Sequence, residues 1–343
     1  MTPRLRDSMT SPLRFLIIGC GRMGRVHAER LHADGRGRVV GVCDNHSTAA
    51  ERLRADLAPD AVVFADAEAL LDGAAADAAI ICTPTTAHFD QVRACRARGL
   101  HVLCEKPLAD TRARIVQLIE GAGACRPGAG PTRPGSAVPL LSVGYQRRYW
   151  ATYRTLRREV LSGRWGAVRA VTSHNVENWQ QTIAGTWRDD QAVNWGGFLG
   201  DAGSHKLDAV FYVTGLEPID ALARCDRCGS RVEITATVAA RLARDVPLAM
   251  DLIGHAQYLG EDLHIHCERA DLMVRDRRVW IARDGRIEEL TDLEPDSNPT
   301  VGFLDLLTDQ AENIAPPECA LPVFDFTRAI LESCASGRIV RVG

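Results

Sequence analysis

Residues 13–24 read LRFLIIGCGRMG, and the amphipathic stretch RMGRVHAERLHAD follows directly. A short, wholly apolar run that ends on Gly19, Gly21 and Gly24 and then turns helical is the grammar of a strand, a tight phosphate-binding turn and a helix. Gly19 permits the turn, Gly21 lets a pyrophosphate approach the backbone, and Gly24 lets the helix pack closely on the strand. Arg22 and Met23 sit inside this loop and are expected at the same ligand. Asp44 ends the next apolar run, 20 residues after Gly24, where a carboxylate can hold both ribose hydroxyls of an adenosine. It would also repel a 2′-phosphate, so NAD is expected over NADP, with His46 and Arg52 close enough to soften that preference.

Outward from this stretch the alternation continues: RVVGVCD, STAAERLRADL, AVVF, AAIICTP, HFDQVRACRARG, LHVLCEKP, DTRARIVQLIEG and LLSVGYQ. Strands that are apolar throughout, separated by helices, predict a doubly wound parallel sheet covered on both faces, here a Rossmann domain over 13–147. A segment rich in Gly and Pro, 121–139, reads as a surface insertion before its last strand. From 148 to 343 the pattern changes to helices at about 149–162 and 203–214, and then to alternating runs such as RVEITATVAARL, PLAMDLIGHAQ, DLHIHCE, LMVRD, RVWIARD and IEELT. Asp284-Gly285 marks a hairpin. These features predict an α+β domain with an open, mostly antiparallel sheet of about six strands, closed by helices at about 301–314 and 324–336.

The 343 residues suit two domains. With 46% hydrophobic and 25% charged residues the composition is globular, and a net charge of -3 without a basic tract argues against nucleic acid as a partner. No window reaches the length of a membrane span, and MTPRLRDSMTSP is too polar for a secretory leader. Eleven cysteines, several inside apolar runs, suit a reducing compartment, so a cytoplasmic protein is expected. Cys225 and Cys228 form a CxxC, but His264 and His266 face the opposite side of their strand from Cys267, so no metal site is expected.

Two further segments, CEKPLA and WGGFLGDAGSHKLDAVFYVTG, complete a pattern with the glycine loop. Together the three resemble the glucose-fructose oxidoreductase and inositol dehydrogenase family, Gfo/Idh/MocA, from about Leu13 to the C-terminus. The resemblance implies Lys106, Asp201 and His205 as the catalytic trio beside the nicotinamide. It also implies Thr83, Pro84, His88 and Glu105 near the cofactor, and Arg147 at the substrate. The chain departs from the pattern at Trp195, at Lys206 and in the insertion.

Oxidising a secondary alcohol requires removal of a hydroxyl proton as hydride leaves the same carbon. His205 is the candidate base, Asp201 the group expected to orient or charge-stabilise it, and Lys106 the cation at the oxygen, with Lys106 as base the alternative. His174, Trp187, Arg188 and Tyr258 are weaker candidates for substrate hydroxyls, and Asp208 reads as a helix-surface or supporting residue. The expected reaction is NAD-dependent hydride transfer between the nicotinamide and a secondary alcohol of a sugar, amino sugar or cyclitol, with a small polyol, sugar or aminocyclitol as substrate. The rivals are a same-fold enzyme that keeps NAD bound and uses transient oxidation for glycoside cleavage or epimerisation, and a non-catalytic NAD sensor. A homodimer or homotetramer through the second sheet is expected, since an open sheet face needs a cover.

Overall fold

A computed structural model describes residues 11–121, 138–308 and 310–343, so all but the ends of the anticipated insertion at 121–139 lies outside the described residues. Strands β1 (Leu13–Ile18), β2 (Gly37–Cys43), β3 (Val62–Phe64), β4 (Ala78–Ile81), β5 (His101–Cys104) and β6 (Leu141–Val143) form one sheet. All pair in parallel, in the order β3-β2-β1-β4-β5-β6. Helices α1 (Arg22–Asp34), α2 (Ser47–Leu57), α3 (Ala67–Gly73), α4 (Thr85–Ala97) and α5 (Arg112–Gly121) connect them. Alternate side chains of β1 serve the two faces. Phe15 and Ile17 join a cluster with Leu31, while Leu16 and Ile18 join one with Leu70 and Val92. The order in which successive strands are added reverses between β1 and β4, and ligands of such sheets lie outside the carboxyl ends of the strands at that point.

Helix α6 (Ala151–Leu161) leads into β7 (Val168–Asn178), then come three helices: α7 (Trp179–Ile183), α8 (Gly197–Gly200) and α9 (Ser204–Thr214). The second sheet is completed by β8 (Pro218–Asp226), β9 (Thr235–Leu242), β10 (Val246–Ile253), β11 (His255–Cys267), β12 (Asp271–Arg275), β13 (Arg278–Arg283) and β14 (Arg286–Leu290). Helices α10 (Pro299–Leu307) and α11 (Ala320–Ser336) precede β15 (Val340–Arg341).

This sheet has nine strands, β14-β13-β12-β11-β7-β10-β9-β8-β15, against the six expected. It is mostly antiparallel, with β7 and β10 the parallel pair. Beyond those six runs, β7 is the strand expected to end near His174, and it runs on to Asn178. The unanticipated strands are β8, whose sequence PIDALARCD starts on a proline and carries three charges, and the two-residue β15, too short to show a period. Asp284 and Gly285 take φ of 50° and 73° between the paired Arg283 and Arg286, the two-residue turn that the sequence announced. Asp276 and Arg277 build a second such turn without a glycine, at φ of 51° and 59°.

All eleven residues of α9 are buried. Asp208 is therefore no surface residue: its carboxylate takes a bidentate contact from Arg148, with Nε 3.0 and 2.9 Å from the two oxygens. Burial works to raise the Asp208 carboxyl, and it stands above the ordinary value although Arg148 opposes the shift. Cys225 and Cys334 are joined in a disulfide between β8 and α11, where packing brings their Cα atoms to 5.6 Å, a departure from the expected all-thiol chemistry. Among the described residues no group of three or more His, Cys, Asp or Glu is placed to hold a metal, and no helix is long and apolar enough to cross a membrane.

Late in the chain, α10 returns to the first sheet. Asn298 caps it by accepting from the Thr300 and Val301 amides, and Pro299 occupies its first turn. Phe303, Leu304, Leu306 and Leu307 enter the cluster of Phe15 and Leu31, with the Phe303 ring edge-on to Phe15 at 6.4 Å. Phe303→Ala is expected to lower stability by about 3–5 kcal/mol. A urea midpoint equal to that of the unaltered chain would show that α10 adds nothing to the first domain.

Candidate active site

The glycine loop is built as its spacing requires. Gly19 stands at φ +92°, and a Cβ there would come within 2.8 Å of the Cys82 carbonyl carbon. A Cβ on Gly24 would lie 2.0 Å from the Gly19 oxygen, whereas one on Gly21 would meet nothing within 4 Å. The loop is thus closed toward the sheet and open above Gly21. Helix α1 starts there without a side-chain cap, which leaves its first amides for an anion. Asp44, half-buried, accepts from the Cys20 amide at 2.7 Å and the His46 amide at 2.8 Å, which ties the loop to the end of β2. An open loop, an uncapped helix and a fixed carboxylate fit a dinucleotide.

A cleft of about 720 Å³ runs from Arg22 and Met23 past Thr83, Glu105 and Lys106 to residues of the second domain. Glu105 and Lys106 follow β5 directly. Glu105 is held by His27 at 3.1 Å, whose other nitrogen lies 2.8 Å from the Thr300 hydroxyl. Burial pushes the Glu105 carboxyl up, but His27 and Lys106 outweigh it and hold it below the ordinary range. Lys106 crosses to the second domain, donating from Nζ to the Asp201 carbonyl at 2.9 Å and to its carboxylate Oδ1 at 2.6 Å. Arg188 donates to the other carboxylate oxygen at 2.9 Å. Asp201 therefore stays ionised despite burial, its carboxyl lowered by the two cations.

This contact corrects one expectation. Asp201 precedes α9 and has both carboxylate oxygens engaged by Lys106 and Arg188, so it is not the group that orients His205. His205 stands in the first turn of α9 with its ring edge toward Tyr145, centroids 6.1 Å apart. Its Nδ1 is buried and has no hydrogen-bond partner among the described residues. Burial, reinforced by Lys106, Arg147 and Lys206, holds its pKa well below the ordinary 6.5. The imidazole is neutral at physiological pH.

Arg147, on the turn after β6, lines the cleft with its guanidinium 4.7 Å from the Trp150 ring centroid. It binds Glu261 of β11, with Nε 3.1 Å from Oε2 and a second contact to Oε1. Lys206 donates to the same carboxylate, as does the Tyr153 hydroxyl at 3.2 Å. Burial works to raise the Glu261 carboxyl, but Arg147 and Lys206 reverse that and pull it down to about 2. Trp187 also lines the cleft, with the Arg188 guanidinium over its ring at 4.3 Å. Thr83 lines it too, its hydroxyl donating to Gln91 at 2.6 Å.

Four expected positions fall elsewhere. His88 is buried with its ring nitrogens each 2.8 Å from a carbonyl oxygen, of Pro107 and Thr83, so it braces the loops after β4 and β5 rather than meeting a ligand. Pro84 is the exposed residue before α4. His174 lies on the outer face of β7, 3.6 Å from Asp251, and Tyr258 is 62% exposed. Neither lines the cleft, because strand alternation turns them away from it. Trp195, a departure in the motif, packs on Phe324 of α11 and also lies off the cleft wall. The sequence reading missed Glu261, Glu177 and Trp150, all in the wall. Glu261 sits in a strand that the reading began one residue later, and only its long-range partners mark it as functional.

Residues 13–124 match the family described as an oxidoreductase family with an NAD-binding Rossmann fold, and 153–273 match the GFO/IDH/MocA C-terminal domain. The chain is 29% identical over 211 residues to inositol 2-dehydrogenase of Rhizobium meliloti (strain 1021), covering 62% of this chain and 58% of that protein. It is 28% identical over 220 residues to D-glucoside 3-dehydrogenase of Escherichia coli (strain K12), covering 64% and 59%. The chain thus spans somewhat under three fifths of the curated relatives it matches. In fold it is similar to myo-inositol 2-dehydrogenase from Lactobacillus plantarum (TM-score 0.78, 18% identity, 97% of this chain and 100% of that one). It is also similar to the WlbA dehydrogenase from Bordetella pertussis in complex with NADH and UDP-GlcNAcA (TM-score 0.79, 21% identity, 97% and 99%).

Because the Glu261 carboxyl drops from an ordinary 4.5 to about 2 on folding, its stabilisation is complete above pH 4.5 and is lost as pH falls toward 2. Glu261→Gln strands two buried cations, a defect of about 3–5 kcal/mol at neutral pH. Urea unfolding should show that deficit at pH 7 and its disappearance as the unaltered chain protonates. A deficit of equal size at both ends of the range would contradict the ion cluster.

Proposed function

This chain belongs to the Gfo/Idh/MocA oxidoreductases, and from that premise we propose that it is an NAD(H)-dependent dehydrogenase acting on a secondary alcohol of a sugar, amino sugar or cyclitol. The supporting observation is the convergence of Lys106, clamped to Asp201, with the partnerless Nδ1 of neutral His205 in a cleft whose far end is the open glycine loop. The dinucleotide, when bound, supplies the hydride acceptor. Gly19, Gly21 and Gly24 with the α1 amides would hold its diphosphate, Arg22 and Met23 the same region, and Asp44 the adenosine ribose. Thr83 and Glu105 stand between that end and Lys106.

Lys106 spends two of its three N–H bonds on Asp201, which aims the third at the oxygen of the reacting carbon. There it stabilises negative charge as the hydroxyl proton leaves. His205 takes that proton. Its protonated form lies among Lys106, Arg147 and Lys206, so the proton is readily passed on. Arg147, Arg188 and Trp187 offer donors and an aromatic face for the remaining hydroxyls. The protein is cytoplasmic and binds NAD in preference to NADP. It assembles as a dimer or tetramer through the outer face of the second sheet, where Ala239, Arg241, Pro247 and Ala249 are exposed.

NADH formation across cyclitols, aldoses, amino sugars and glycosides tests the reading, and silence across that panel would sink it. Lys106→Ala and His205→Ala should each lower turnover by at least about a hundredfold, with NADH affinity changed only a fewfold. The acid limb of the oxidation profile should lie below pH 6.5, because the base must be neutral and burial lowers its pKa. The limb should vanish in His205→Ala, and its survival with near-normal turnover would make Lys106 the base. Asp44→Ala should weaken NAD and narrow the gap to NADP, since it deletes ribose acceptors and a repulsive charge together. An unchanged preference would acquit Asp44.

A further inference from the structure

Helix α9 carries Lys206 directly after His205, and its side chain is only 2% exposed although it ends in a charge. Its amine reaches Glu261 of β11 and lies 3.7 Å from Glu177 at the end of β7. Lys106, Arg188, Arg147 and Lys206 line the same cleft as His205. Asp201 takes the first two and Glu261 the last two. Glu177 stays beyond hydrogen-bond distance of its cation, with its side chain 31% exposed. Lys206 in turn has N–H bonds not used by Glu261.

We propose that Glu177 and Lys206 form the subsite that reads the hydroxyl next to the carbon being oxidised, which assigns the substrate to uncharged vicinal diols. The inference rests on the dehydrogenase reading. A carboxylate accepts the O–H of one hydroxyl while the neighbouring ammonium donates to its oxygen, so a hydroxyl is satisfied in both roles and a missing hydroxyl leaves one Glu177 acceptor and one Lys206 N–H unfilled. Charge decides against the alternatives. Lys206 and Arg147, which share the Glu261 carboxylate, repel an ammonium group at this spot. Glu177 repels a phosphate or a carboxylate at the same spot.

The test compares myo-inositol with its monodeoxy derivatives, and methyl β-glucoside with its 2- and 4-deoxy forms, by kcat/KM for NADH formation. Glu177→Gln preserves shape at a partly exposed site, and Lys206→Met preserves length without the charge; thermal melts and NADH affinity check that both fold. The unaltered protein should prefer the parent over the one analogue that lacks the hydroxyl read here by about ten- to a hundredfold. In each variant that ratio should fall to within a fewfold of one. Loss of rate by the same factor on parent and all analogues would make the pair purely structural and overturn the inference. A ratio that survives both substitutions would also overturn it. Silence of the unaltered protein on both series would remove the dehydrogenase reading and this inference with it, whereas the other two failures leave that reading standing.

Discussion

The Lys106–Asp201 contact fixes the geometry on which the rest of the site depends. Lys106 leaves the carboxyl end of a strand in the first sheet, Asp201 closes a short helix of the second domain, and each side chain is 11% exposed. An ion pair this buried is tolerable only with both partners present and their remaining valences filled. Here the lysine bonds the Asp201 carbonyl as well as the carboxylate, and Arg188 fills the other oxygen. The joint between the domains and the reactive end of the cleft are therefore one structure. The same economy explains why Asp201 does not steer His205: its carboxylate is already occupied.

Charge in the cleft is organised rather than scattered. A lysine at position 206 inside a fully buried helix would be costly alone, and the protein answers it with Glu261 and, further off, Glu177. Arg147 and Tyr153 use the same Glu261 carboxylate, so one acid holds three donors in place. The collective effect on His205 is to keep its ring neutral, which a proton acceptor requires. The sequence departure at 206 is in this sense compensated by residues of β7 and β11, some thirty and fifty positions away.

What could be read in the sequence was what neighbouring residues encode. The loop from Gly19 to Gly24, the apolar parallel strands and the Asp284-Gly285 turn all announce themselves locally, whereas Lys106, Asp201 and His205 come from the resemblance to the family's motifs. The first sheet matched strand for strand, because strands buried on both faces leave an uninterrupted apolar signature. Strand β8 was hidden because PIDALARCD shows one buried face among charges, and β15 because two residues have no period. The docking of Phe303 on Phe15 and the Glu261 cluster were illegible for a different reason: they join residues 55 or more positions apart. His88 shows what a motif alone does not reveal: its ring is engaged by two backbone carbonyls.

The central claim is that this cleft moves hydride between a carbinol carbon and a nicotinamide. It is tested most directly with ring-deuterated myo-inositol and methyl β-glucoside, followed by NMR of the nucleotide product. The account predicts deuterium at the nicotinamide ring carbon in step with turnover, carried from substrate without exchange with water. Turnover that leaves the nucleotide free of deuterium would contradict it.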